Sequence, residues 1–227
     1  MNVIEIKNLH KTYNETQVPV KAVNGIDLQI EAGEFTAIVG PSGCGKTTLM
    51  NMIGGLDQPT EGSVAIDGQQ IKNLKSTQLI DFRLHNIGFV FQAYNLLPVL
   101  TVKENIEFIM QLQGKSRKEC ETRVDEMLKA IGLTDKKNQR PNQLSGGQQQ
   151  RVSVARALAS KPKFILADEP TANLDSKSTS DLLELMETLN REENMTFIFS
   201  THDERVMRKA RRLITLEDGK IVKDVRV

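Results

Sequence analysis

One stretch constrains this chain more than any other: Gly40-Pro41-Ser42-Gly43-Cys44-Gly45-Lys46-Thr47-Thr48. An apolar run, Phe35-Thr36-Ala37-Ile38-Val39, leads into it, and a helical pattern from Thr48 to Ile53 leads out. Strand, glycine loop and helix in that order form the setting in which the spacing G-x-x-x-x-G-K-[ST] wraps a phosphate. Glycines let successive backbone N–H groups turn toward one anion. The helix that follows adds the positive end of its dipole. Lys46 can reach the outer phosphates of a nucleotide as a point charge, and the Thr47 hydroxyl can hold Mg²⁺.

Composition removes several alternatives. At 227 residues the chain can bury a substantial core, and one domain or two closely packed lobes fit. A formal net charge of +1 gives no support to a general nucleic-acid binder. No apolar run approaches the ~18 residues that span a bilayer. The start, Met1-Asn2-Val3-Ile4-Glu5-Ile6-Lys7, carries an early acid and no long apolar stretch, so no signal peptide is expected. Two cysteines, Cys44 and Cys120, make neither a disulfide framework nor a metal site. Cys44, beside Lys46 and the loop N–H groups, is expected to be the more reactive thiol. A soluble cytosolic protein is expected, with any membrane role supplied by a separate chain.

Short strands fill the first forty residues: Val3–Ile6, then Lys11–Tyr13, then two between Val20 and Ile30 split by a hairpin turn at Asn24-Gly25. This is an antiparallel β region. Tyr13 is either a stacking platform for a purine ring or a half-buried strand aromatic. Ser63–Ile66 is a strand closed by an Asp67-Gly68 turn, and Ser76–Leu84 a helix with Ser76 as a possible N-cap. Ile87–Phe91 reads as a buried strand ending at Gln92. Four apolar or aromatic side chains, Tyr94, Leu96, Leu97 and Val99, sit in the loop behind it, where polar residues are the rule.

From Thr101 to Ile131 the pattern is helical and carries no strand signal. Thr101 with Glu104 makes a capping box. Ser116 caps a second helix whose Val124, Met127, Leu128 and Ile131 share one face, and Gly132 ends it. Leu144-Ser145-Gly146-Gly147-Gln148 opens a further helix; its glycines can present N–H groups to an anion, or Ser145 can simply be the N-cap. Phe164–Asp168 is four apolar residues and a carboxylate, a buried parallel strand with an acid at the end where ligands sit in open α/β sheets. Asp168 is placed for Mg²⁺ and Glu169 for accepting a proton from an attacking water. A further buried strand, Thr196–Ser200, delivers His202, and two closing strands meet at Asp218-Gly219.

In this order the stretches resemble the ATP-binding-cassette ATPases over essentially the whole chain. Gly40–Thr48, Gln92, Leu144–Gln148, Phe164–Glu169, Asp175 and His202 are similar to that family's phosphate loop, Q-loop, signature, Walker B strand, D-loop and switch histidine. Gly54-Gly55-Leu56-Asp57 and Ile87–Gln92 resemble the subfamily that serves lipoprotein release, macrolide export and cell division. Ala172 stands where glycine is usual.

The resemblance implies an α/β phosphate-loop NTPase core with an antiparallel β subdomain and an inserted α-helical subdomain. The core and β parts would take residues 1–92 and 160–227, the helical part 93–159. It implies ATP and Mg²⁺ as cofactors, with the nucleotide held by Tyr13, Ala22, Gly40, Ser42, Gly43, Cys44, Gly45, Lys46, Thr47 and Thr48. The metal would lie at Thr47, Gln92 and Asp168, and catalysis would rest on Glu169, His202, Gln92 and Lys46. Two copies would pair head to tail on ATP, with Ser145, Gly146, Gly147 and Gln148 acting on the other copy's nucleotide and Asp175 at the interface. An integral membrane permease would dock near Tyr94, Leu96, Leu97 and Val99, placing the chain peripherally on the cytoplasmic face of the inner membrane. The implied function is ATP hydrolysis that powers this separate permease in export or extraction of a lipoprotein, peptide or drug. Because cargo contacts would lie in the partner, a non-transporting ATPase that mechanically regulates a membrane protein is the competing reading.

Overall fold

The structure is a computed structural model that describes residues 1–14 and 18–227. Along the chain run β1 (Asn2–Tyr13), β2 (Val20–Glu31), β3 (Phe35–Val39), α1 (Lys46–Ile53), β4 (Glu61–Ile66), β5 (Gln69–Gln70), α2 (Ser76–Asn86), β6 (Ile87–Val90), α3 (Val102–Leu112), α4 (Arg117–Ala130), α5 (Gly146–Ala159), β7 (Phe164–Asp168), α6 (Ser176–Glu193), β8 (Thr196–Ser200), α7 (Glu204–Lys209), β9 (Arg212–Glu217) and β10 (Lys220–Arg226). Two sheets result: a four-stranded one ordered β2-β1-β4-β5 and a six-stranded one ordered β10-β9-β3-β8-β7-β6. The small sheet is antiparallel. In the large one β3, β6, β7, β8 and β9 run parallel, and β10 is an antiparallel edge.

The large sheet divides the core in two, because strand side chains alternate between faces. Phe35, Ala37, Val39, Ile165, Ala167, Phe197 and Phe199 face the helices α3 to α6. Ile38, Phe164, Leu166 and Ile198 face α1 and the small sheet. Strands buried on both faces read as unbroken apolar runs, which is why β3, β7 and β8 were legible. Phe35 anchors the first core, its ring centroid 4.7 Å from that of Phe199 and 5.6 Å from that of Phe197.

Two expectations for the small sheet change. Val3–Ile6 and Lys11–Tyr13 belong to one strand, and Val20–Ile30 lies within another. Asn24-Gly25 is therefore a bulge and not a hairpin turn. The register steps from Leu9 opposite Ile26 to His10 opposite Asn24, and the extra residue, Gly25, takes a φ of 74°. Asn24 N–H leaves the ladder and donates to Gly219 O at 2.8 Å, so a partner distant in sequence stabilises the bulge.

The helix caps follow the sequence wherever the spacing is local. Thr101 with Glu104 and Ser116 with Glu119 form reciprocal capping boxes, and Val124, Met127, Leu128 and Ile131 are buried. α2 differs: Lys75, not Ser76, is its N-cap residue, and Gln78 accepts the Lys75 N–H at 3.0 Å. α6 starts at Ser176 because Asp175 caps it. α5 packs on α3 and α4 and also on β6 and α6, joining the helical region to the body.

The loop after β6 is held from inside. Asn105, fully buried on α3, accepts Leu97 N–H at 2.8 Å and donates to the carbonyls of Leu97, Leu100 and Thr101. Leu96 packs against the helical core, so it is not part of an outer face. Leu97 and Val99 are 38% and 73% exposed, and on α3 so are Phe108 and Leu112, at 38% and 56%.

Candidate nucleotide site

A cavity of about 1020 Å³ opens where the phosphate loop meets β2 and the β9–β10 turn. Ala22, Gly40, Ser42, Gly43, Gly45, Lys46, Thr47 and Thr48 border it, and so do Gln92, Glu169 and His202. Sequence positions from 22 to 202 thus converge on one space.

Sterics explain the glycines. Gly45 has φ 103°, and a Cβ there would lie 2.1 Å from Ala22 O. Gly40 has φ 151°, and its Cβ would lie 2.1 Å from Leu216 O. Any other residue would lift the loop off β2 and β9. Gly219 N–H donates to Cys44 O at 3.1 Å, so the β9–β10 turn braces the loop from beneath. Lys46, 9% exposed, donates from Nζ to Gly40 O at 2.8 Å and Pro41 O at 3.0 Å. A cation is thereby fixed against the backbone carbonyls of the loop.

Strand ends supply the acids. Thr47 Oγ1 donates to Asp168 Oδ2 at 3.2 Å, bringing the first helical turn of α1 to the end of β7. One hydroxyl and one carboxylate suit Mg²⁺, which keeps several waters and takes few protein ligands. The next residue turns away: Glu169 has φ 46°, and its N–H donates to Ser200 O at 2.8 Å. A left-handed non-glycine residue stores strain. Here it aims Glu169 Oε1 at His202 Nδ1, 2.8 Å away, instead of at Thr47. Glu169 is largely buried, its side chain 17% exposed, whereas His202 is 74% exposed. A carboxylate held by a histidine at a cavity wall can take a proton from water.

Other expected residues lie elsewhere. Tyr13 does not border the cavity; its hydroxyl donates to Asp57 Oδ2 at 2.7 Å, and Lys11 Nζ sits 4.8 Å from its ring centroid. Cys44 is buried in the apolar core, its Sγ 3.9 Å from Lys46 Nζ, and Cys120 is buried as well. Ser145 is exposed and caps α5: its Oγ accepts Gln148 N–H at 3.3 Å, and Gln148 Oε1 accepts Ser145 N–H at 2.9 Å. Its hydroxyl proton stays free to donate. Asp175 is likewise an exposed cap, and the N–H and hydroxyl of Ser178 hold its carboxyl below the usual range. Neither the Ser145–Gln148 turn nor Asp175 borders the cavity of its own chain.

Three supporting residues escaped the sequence reading. Gln150, fully buried, donates to Pro170 O at 2.9 Å and so ties α5 to the residue after Glu169. Arg156 donates to the carbonyls of Tyr94 and Asn95, and burial pushes its pKa down. Asn173 Nδ2 donates to Gln92 O at 3.1 Å. The only signal was a polar residue on the buried face of α5, among Val152, Val154 and Leu158.

A phosphate loop after the parallel strand β3, with Asp168 and Glu169 in succession at the end of β7 in the same sheet, defines a phosphate-loop nucleotide-binding protein. The family described as "ABC transporter" matches residues 23–172. The macrolide export ATP-binding/permease protein MacB of Mannheimia succiniciproducens is 47% identical over 224 residues, 99% of this chain. The chain spans only 35% of that relative's length, so about a third. An uncharacterized ABC transporter ATP-binding protein, MJ0796 of Methanocaldococcus jannaschii, is 46% identical over 98% of this chain and 96% of its own. The solved dimer of the MJ0796 cassette in a post-hydrolysis state, bound to ADP and Pi, superposes with a TM-score of 0.90 at 44% identity, covering 98% of both chains. The chain belongs to the ABC transporter family and is an ATP-binding ATPase cassette of it.

Proposed function

We propose that this ATPase works as a head-to-tail pair that powers a membrane permease from the cytoplasmic face of the membrane, as a peripheral subunit. One observation carries the pairing: the helix start at Ser145–Gly147, with Ser145 exposed, Gly146 half-buried and Gly147 buried, does not border the chain's own cavity. A second copy's γ-phosphate is a fitting ligand, and a related cassette is dimeric. In this reading Lys46 and the loop N–H groups bind the phosphates, and Tyr13 serves the base only if it turns from Asp57. Thr47 and Asp168 would hold Mg²⁺, with Gln92 beside them, and the ion would neutralise charge on the outer phosphates. Glu169 takes the proton of the attacking water, and His202 steadies that carboxylate. Asp175 sits at the junction between copies.

Several MacB relatives are named as ATP-binding/permease proteins, which supports a membrane partner here, with a lipoprotein, peptide or drug as cargo. No helix among the described residues is long and apolar enough to cross a membrane. The partner surface narrows to Leu97 and Val99, with Phe108 and Leu112 of α3, because Tyr94 and Leu96 are engaged inside the chain. Apolar anchors of this kind suit a short helix from the permease. Leu97→Asp with Val99→Asp is expected to shift the melting temperature by less than about 3 °C, since both side chains already meet water. ATP binding should persist while recovery in the membrane fraction falls. A double variant that stays with the membrane would place the contact elsewhere.

A further inference from the structure

Two glycines begin α5, and neither has a positive φ, so backbone freedom does not explain them. Their neighbours do. A Cβ on Gly146 would lie 2.7 Å from the Tyr94 hydroxyl oxygen, and one on Gly147 would lie 2.5 Å from Ser178 Oγ. Tyr94 is two residues beyond Gln92, and its hydroxyl points at Asn173 O, 3.5 Å away. Asn173 closes the circle by donating to Gln92 O. The backbone at Tyr94 is fixed in turn by Arg156, which stands on α5 itself, Nη2 donating to Tyr94 O at 3.1 Å. The loop that carries Gln92 therefore rests, through one phenol, on the glycine turn at Ser145–Gln148.

We infer that Tyr94 is a positioning residue that carries the state of the chain's own nucleotide site, met at Gln92, to its own Gly146 turn, which serves the partner's nucleotide. The inference rests on the head-to-tail reading and adds the route between the two sites. A shift of Gln92 toward a nucleotide moves Tyr94, and Gly146 has no side chain to absorb the movement, so the helix start must follow. Interfaces packed this closely respond in steps and not by gradual deformation.

Size exchange tests it. In a Glu169→Gln background, where the ATP-bound pair persists, dimerisation is followed by light scattering during an ATP titration. Gly146→Ala puts a methyl group into the phenol oxygen and is expected to raise the ATP concentration for half-dimerisation about tenfold or more, a coupling of the size neighbouring residues show. Adding Tyr94→Phe removes that oxygen and is expected to return the midpoint to within about threefold of the background. Monomer ATP binding and melting temperature should stay level across the set, a pattern that simple misfolding would not give. In the chain with Glu169 intact, Tyr94→Phe should lower the Hill coefficient of turnover toward 1. No rescue by Tyr94→Phe would overturn the inference, because Gly146 would then be required by the partner's phosphate alone. An unchanged Hill coefficient would do the same. If the Glu169→Gln background itself fails to dimerise with ATP, the head-to-tail reading falls and takes the inference with it. If it dimerises and Gly146→Ala has no effect, only the inference falls.

Discussion

Replacing Glu169 by Gln is expected to lower ATP turnover by ~10²-fold or more while leaving ATP binding intact. The carboxamide keeps the shape of the side chain and its place against the His202 ring, but it cannot take a proton from water. Lys46, Thr47 and Asp168, which in the proposed reading hold the phosphates and metal, bond to Gly40, Pro41 and each other and not to Glu169, so affinity has no reason to change. The left-handed backbone at Glu169 matters here. Gln tolerates that conformation no worse than Glu, so the substitution tests the proton and not the fold. Single-turnover hydrolysis with equilibrium nucleotide titration separates the two effects. Turnover within about threefold of the wild type would remove Glu169 as the base, since a general base contributes far more. Glu169→Ala is the useful companion. It frees His202, and equal losses in both variants would place the effect on the carboxylate itself.

Lys46→Ala is expected to weaken ATP binding by roughly ten- to a hundredfold, the loss of one charge-assisted hydrogen bond of about 1.5–3 kcal/mol. The ammonium now bonds the Gly40 and Pro41 carbonyls and is nearly buried, so alanine also leaves those carbonyls and the centre of the loop without a donor. A modest loss of melting temperature in the free protein is therefore part of the expectation. Lys46→Arg distinguishes the roles. It keeps the charge but is too large and planar for a ring braced by Ala22, Leu216 and Gly219, so it should bind ATP about as poorly as alanine. Unchanged ATP affinity in Lys46→Ala, measured by calorimetric titration, would mean that the loop does not hold the phosphates.

Much of the site was legible because its information is local. The phosphate loop is a contiguous run between a strand and a helix, and the glycine spacing already states where the backbone must turn. The caps Thr101, Ser116 and Ser145 each find their partner three residues on, a distance set by one helical turn. The Asp168-Glu169 pair stands at the end of an apolar run that can only be a buried strand. What the sequence could not decide were the choices made by partners far along the chain. Asn24-Gly25 has the composition of a hairpin turn, yet it is a bulge because Gly219, at the other end of the molecule, accepts the Asn24 N–H. Glu169 parts from Asp168 only through Ser200 and His202 on the neighbouring strand's end. Tyr94 and Leu96 look outward-facing in a list of loop residues, but Asn105 and Arg156 turn the loop so that one meets Gly146 and the other enters the core. Local spacing specifies backbone geometry over one turn or one strand; which way a side chain faces depends on the hydrogen bonds and close contacts that only the assembled sheet and helices supply.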